Sequence, residues 1–176
     1  MSNNRINEYV YLLKLSRDFL GESIDEYNSA RGKEVELSQY HCLYYQRKYH
    51  AFAYSQLMYA LYERLKCEVS SGQKAETIKQ FFKKNKTSAV RKVCSLFANK
   101  VKHAKGKQSV NISPSQNLEI SISTEEITVG PEKLTLTLVE DSQRIHPDLR
   151  SADVLELIKK SYDELLQFLE EEGYEY

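Results

Sequence analysis

The chain has 176 residues, of which 41% are hydrophobic and 28% charged, and its 25 basic and 25 acidic side chains cancel. That balance excludes a disordered polyelectrolyte and suits one domain, residues 1–176, with its own hydrophobic core. No stretch approaches the roughly 20 consecutive apolar residues that cross a bilayer, so no membrane partner is expected. Met1-Ser2-Asn3-Asn4-Arg5 carries no apolar block followed by small residues; no secretory signal is expected, and the reading is cytoplasmic.

The first helix is predicted from about Asn4 to Ala30. Ile6, Val10, Leu13, Leu20, Ile24 and Tyr27 recur at helical steps and form one apolar stripe, and Gly32 breaks the pattern. A second helix, about Leu37 to Ser70, carries Tyr44, Tyr45, Tyr49, Phe52, Gln56, Tyr59, Leu61 and Leu65 on neighbouring faces, with Gly72 as its stop. So broad a belt places it near the centre of the domain. It also holds seven of the 13 tyrosines, whose expected role is packing with wetted hydroxyl tips. A short helix, Ala75 to Lys84, precedes a longer one from Thr87 or Ser88 to about Lys105. Val90, Val93, Phe97 and Val101 face inward along the longer helix.

From Asn117 the period changes to two. Leu118, Ile120 and Ile122 alternate with polar residues, as do Leu134, Leu136 and Leu138, with Ile127 and Val129 between them. A small β-meander insertion over about 117–139 is expected, leaning on the helices. The last helix begins near Ser151 and ends at Gly173, with a stripe of Leu155, Ile158, Tyr162, Leu165 and Leu169. The fold class is therefore mainly α, an antiparallel bundle of about five helices.

Cys42, Cys67 and Cys94 are odd in number, widely spaced and without a C-x-x-C pair, so each is expected to be a reduced core thiol. His41, His50, His103 and His146 are scattered, and no metal site is expected. Six unclustered glycines offer no phosphate loop, and no cofactor is expected.

The zero net charge hides a strong asymmetry. Lys74, Lys79, Lys83, Lys84, Lys86, Arg91, Lys92, Lys100, Lys102, Lys105 and Lys107 share their segment with a single acid, Glu76. Eleven minus one leaves +10 there and −10 for the rest, much of it on the acidic C-terminal helix. Charge separated in this way speaks about partners, and it favours RNA or another anionic ligand.

Within that segment, Asn99-Lys100-Val101-Lys102-His103 sets an amide and an imidazole one helical turn apart, away from the apolar stripe. Histidine transfers protons near neutral pH, and lysines hold phosphate or stabilise its developing charge. This is an inventory for cleaving RNA without metal.

The order of elements resembles the HEPN superfamily. Two long N-terminal helices, the second reading Tyr59-Ala60-Leu61-Tyr62-Glu63-Arg64-Leu65, precede a helix ending in Asn-x-x-x-His and Gly106. A variable insertion and a last amphipathic helix follow, so the likeness spans roughly Asn4 to Glu172. It implies a metal-independent ribonuclease of defence or toxin–antitoxin type, acting as a homodimer that joins two Arg-polar-x-x-x-His motifs. His103 would be general acid or base, with Asn99 orienting it or the phosphate. Lys100, Lys102, Lys105, Lys92, Arg91, Lys83, Lys84 and Lys86 would hold the phosphate backbone. Ala98 occupies the motif's arginine position and cannot offer the bidentate fork. Lys100, Lys102 and Arg91 are the candidates to substitute for that arginine, but none is at the motif's position, and Arg91 stands twelve residues from His103, about 18 Å along a helix and on a different face. The alternative that the resemblance implies is a non-catalytic member of the fold, a dimer that binds nucleic acid, nucleotide or a protein.

Overall fold

The computed structural model describes residues 3–69, 72–85, 87–94, 110–114, 126–128, 134–138 and 153–176. Over these residues the chain is mainly helical, with five α-helices. They are α1 (Asn3–Ala30), α2 (Leu37–Glu68), α3 (Gln73–Lys79), α4 (described over 89–94) and α5 (Val154–Glu171).

The helix α1 ends where Gly32 turns to a φ of 72°, and the Lys33 amide donates to the Ala30 carbonyl. A left-handed residue here costs glycine little. Three residues of strand β1 (Glu34–Glu36) then lead directly into α2. Arg47 of α2 meets Tyr27 of α1, and His50 meets Phe19, so the two long helices run antiparallel.

The stripes explain the packing. Ile6, Val10, Leu13, Leu20 and Tyr27 of α1 are buried. On α2 the buried set is Tyr40, Leu43, Arg47, Ala51, Tyr54, Ser55, Met58, Leu61, Tyr62 and Leu65. Its steps of three and four trace one helical face. Tyr45 and Tyr49, expected within the apolar belt, instead lie on the outer side at 60% and 67% exposure. The sequence offers α2 more aromatic residues than one face can bury, and Leu61, Met58 and Leu65 take the inner positions. Burial of each such aliphatic side chain contributes about 1.5–3 kcal/mol.

The helix α5 lies across both long helices. Arg17 of α1 sits 4.4 Å from the centre of the Tyr162 ring, and the Tyr54 hydroxyl of α2 is 2.9 Å from Ser161 Oγ. Asp153 caps α5 by accepting from the Glu156 amide, and the helix closes before Gly173 at a φ of 71°. Ile158, Tyr162, Leu165 and Leu169 of its expected stripe are buried; Leu155 is half-buried.

The expected Ala75–Lys84 helix starts two residues earlier and changes character midway. After α3 comes a single π-helical turn, Gln80–Lys84, in which the Asn85 amide donates to the Gln80 carbonyl at 2.9 Å. A wider turn reduces the angle between successive side chains, so both phenylalanines of Gln80-Phe81-Phe82 reach the core. Phe81 stacks on Phe168 with centroids 4.0 Å apart, and Phe82 lies 5.3 Å from the Tyr62 ring.

The strands pair across long sequence distances. β1 is antiparallel to β3 (Glu126–Thr128), with Val35 opposite Ile127. β2 (Val110–Pro114) is antiparallel to β4 (Leu134–Leu138), with Ile112 opposite Leu136. The expected meander differs from this: β4 pairs with a segment upstream of Asn117, and β3 joins the α1–α2 connection rather than its sequence neighbours. Residues 115–125, which include the expected strand at Leu118–Ile122, lie outside the described residues.

The cysteines also divide. Cys94 is buried as expected, whereas Cys42 and Cys67 are exposed, since each occupies an outward position of α2.

Candidate functional site

The described part of the basic run begins at α3. Lys74 donates from Nζ to the Glu172 carbonyl at 3.0 Å and lies 4.3 Å from the centre of the Tyr174 ring. Glu76, the one acid of the run, is shared between Lys79, at 3.8 Å, and Lys84. Its carboxyl is held below the usual range, chiefly by the hydrogen bond from Lys84. Lys84 is therefore partly neutralised, while among the described residues no acid pairs with Lys83.

Lys83 and Lys84 both project from the π turn, and both are exposed. The Lys83 ammonium sits over two rings of α2, 4.6 Å from the centre of Tyr62 and 5.9 Å from that of Tyr59. Cation–π contact of this kind fixes a lysine without cancelling its charge. Burial raises the Tyr62 hydroxyl above its ordinary value, so that ring stays neutral beneath the cation.

The start of α4 is built from one local cap and one distant one. Asn85 Oδ1 accepts from the Thr87 amide at 3.2 Å and from Thr87 Oγ1 at 2.8 Å. Glu164 of α5 then supplies the main cap: its Oε2 accepts from Ser88 Oγ at 2.8 Å, from the Ala89 amide at 2.8 Å and from the Val90 amide at 3.3 Å. A carboxylate here meets the positive end of the helix and satisfies amides that lack partners within it. Sequence offered no local sign of this cap, because the acid lies 76 residues beyond Ser88.

Ala89, Val90, Val93 and Cys94 are buried along the inner side of α4. Arg91 and Lys92 are half-buried on the same helix. Lys86, Asn99, Lys100, Lys102, His103 and Lys105 lie outside the described residues, as does Ala98. Of the expected phosphate-binding set, the structure thus brings Lys83, Lys84, Arg91 and Lys92 onto one short stretch spanning the π turn and the first turns of α4.

Among the described residues, no ion pair joins Lys83 or Arg91 to an acid of 153–176. Glu164 of the C-terminal helix is engaged by backbone amides and a hydroxyl instead. Such an arrangement can hold an anion by charge. Among the described residues, no group of His, Cys, Asp and Glu is placed to hold a metal, and no helix is long and apolar enough to cross a membrane.

Comparison with family models, with curated proteins and with solved structures returns no match for this chain.

Proposed function

We propose that this chain is an RNA-directed protein of HEPN-like type, whose basic run 74–107 tracks the phosphate backbone. The observation that supports the reading most is the +10 charge of that run, beside an acidic helix whose Glu164 caps a helix instead of pairing with lysine. Phosphate contacts by lysine and arginine supply most sequence-independent affinity for nucleic acid. In this reading Lys83, Lys84, Arg91 and Lys92 form one end of the track, Lys86 continues it, and Lys100, Lys102 and Lys105 form the other end.

His103 and Asn99 give the reading its catalytic version, a metal-independent endoribonuclease of defence or toxin–antitoxin type. Two copies would bring their Asn99–His103 turns together in a homodimer. A non-catalytic binding role for the same surface is favoured by one specific feature: Ala98 stands where the motif has arginine, so the bidentate phosphate contact is missing.

Titration of a labelled single-stranded RNA at several salt concentrations tests the binding reading. Affinity should fall steeply with salt, and Lys100→Glu with Lys102→Glu should abolish binding in a protein that stays folded. Unchanged affinity in that variant ends the reading. Incubation of RNA in EDTA separates the two versions. Cleavage by wild type that disappears in His103→Ala supports the enzyme; equal background in both leaves a binding protein.

A further inference from the structure

Two features outside the basic run meet where α1, β1 and α2 come together. The first is an aromatic face of α2. His41, Tyr45 and Tyr49 follow one another at single-turn spacing, and all three are exposed. The Tyr49 ring lies 5.4 Å from that of His50, which in turn meets Phe19 of α1 at 5.5 Å. Phe19 is 45% exposed, Tyr45 60% and Tyr49 67%. With about 200 Å² per ring, these three present on the order of 350 Å² to solvent. That falls within the roughly 300–600 Å² of the largest apolar patch on a typical monomer, often a functional one.

The second feature is an open groove of about 920 Å³. Glu22, Asp25 and Glu26 of α1 and Glu34 of β1 line it together with one cation, Lys33, and four minus one leaves −3. Among the described residues, none of these four carboxylates takes part in an ion pair or a side-chain hydrogen bond. Glu22 also faces His50. Burial holds that imidazole below its ordinary value, so the ring is neutral at pH 7 and leaves the carboxylate uncompensated.

Helix geometry joins the two. Cys42 and Gln46 line the groove, and Tyr45 and Tyr49 each stand three residues further on, about 60° round α2. The rings therefore border the groove on its outer side. Lys48 carries a positive charge too, held 4.2 Å from the centre of the Tyr44 ring and donating to its neutral hydroxyl. It stands about 160° from Gln46, on the other side of α2 from the groove.

Charge then decides the occupant. Unpaired carboxylates repel nucleic acid and anionic membrane surfaces alike. A second copy of this face would set acid against acid. A guanidinium suits both features, since it pairs with carboxylates through a planar fork and stacks on aromatic faces. From Phe19 to Ala30 the surface follows α1 for about 16 Å, the span of roughly five residues of extended chain. An open groove of that length fits a peptide.

We infer that Tyr45, Tyr49 and Phe19, with Glu22 and Glu26 beside them, form a docking surface for an arginine-rich peptide segment of another protein. The surface uses neither the basic run nor the Asn99–His103 turn, so it stands apart from the RNA reading.

Anisotropy of a labelled hexa-arginine amide, titrated with the full chain, tests it at about 0.1 M salt, where charges more than about 10 Å apart are screened. Wild type should bind the peptide with a Kd below about 100 μM and should not bind hexaglutamate. Glu22→Gln combined with Glu26→Gln should weaken binding roughly tenfold. Tyr45→Gln combined with Tyr49→Gln should weaken it by a similar factor, roughly tenfold. Glu170→Gln combined with Glu171→Gln, on the acidic helix α5, should change nothing. All six positions are exposed, and far-UV dichroism should show every variant as helical as wild type. Absence of binding to wild type overturns the inference, and so does full affinity in either the carboxylate or the tyrosine variant. An equal loss in the α5 variant overturns it as well, because the peptide would then be reading acidic charge anywhere on the chain. Self-association of wild type that disappears in the Glu22 and Glu26 variant would give the groove to the basic run of a second copy instead.

Discussion

The guanidinium of Arg47 lies face-on over Tyr27, its central carbon 3.5 Å from the ring centre. Nε donates to the Leu43 carbonyl at 2.9 Å, and only 1% of the side chain is exposed. Burial pulls its pKa down, against the opposing influence of Tyr27. Among the described residues no carboxylate pairs with it, so the ring of Tyr27 is its main compensation, with a smaller electrostatic contribution from Tyr40 and Tyr44. Replacing a buried charge with a well-packed apolar chain is often neutral or stabilising. Arg47→Met should therefore change stability by no more than about 1 kcal/mol. Tyr27→Ala should cost about 3–5 kcal/mol, because it leaves both a cavity and an uncompensated cation. Urea midpoints measure both; a large loss in Arg47→Met would contradict this account.

Glu164 holds the start of α4 to α5 through three hydrogen bonds to one oxygen. Glu164→Ala should destabilise by about 1–2 kcal/mol, the usual cost of a lost cap in a partly buried setting. Glu164→Gln keeps an accepting oxygen and should cost roughly half as much. Thermal unfolding followed by dichroism distinguishes the two. Equal losses would mean that charge, not hydrogen bonding, carries the cap.

Thiol reactivity and alkaline stability share a cause. Burial pushes the Cys94 thiol from 9.0 up to about 12, while Cys42 and Cys67 are exposed. A disulfide reagent at pH 8 should label two thiols quickly and the third only on unfolding. The unfolded chain releases the Cys94 proton first, so stability present at neutral pH is lost as pH rises from about 9 toward about 12. Buried Tyr54, Tyr62 and Tyr162 and half-buried Tyr174, all raised by desolvation, steepen the decline above about pH 10. His50 acts at the other end. Burial lowers its pKa, so its contribution is lost as pH falls below about 6.5. Melting temperature should therefore peak between about pH 6.5 and about pH 9.

Tyr54 and Ser161 form a buried polar link between α2 and α5 at 2.9 Å, and Ser161 Oγ also donates to the Ile158 carbonyl at 2.8 Å. Ser161 thus keeps a partner when the phenol is removed. Tyr54→Phe should cost about 1 kcal/mol. A double-mutant cycle with Ser161→Ala should give a coupling of at least about 0.5 kcal/mol, and a coupling near zero would show that the pair is not a bond in solution.

Periodicity made α1 and α5 legible, because each has one apolar stripe and a terminal glycine: Ile6 through Tyr27 before Gly32, and Ile158 through Leu169 before Gly173. The inner face of α2 was harder to read. Tyr45 and Tyr49 carry the same hydropathy as Tyr54 and Tyr62, so periodicity alone could not say which tyrosines the neighbouring helices would cover. β1 was missed because three residues around Val35 carry no pattern, and its partner lies some ninety residues away. Glu164 was hidden for the same reason, since a cap delivered from another helix leaves no local signature. Of the candidate site, Lys83, Lys84, Arg91 and Lys92 fall where the structure describes them, and Asn99 and His103 do not.

The turn at Gln80–Lys84 makes chain length, more than residue identity, the sensitive variable in this region. It contains one residue more than an α-turn would need, so removing any one of the five would rotate the following segment by about 100°. Phe82 would swing away from Tyr62, Lys83 would leave its two rings, and Ser88 would no longer present its hydroxyl to Glu164. Substitutions along this stretch alter one contact at a time, whereas a single deletion misaligns all of them together.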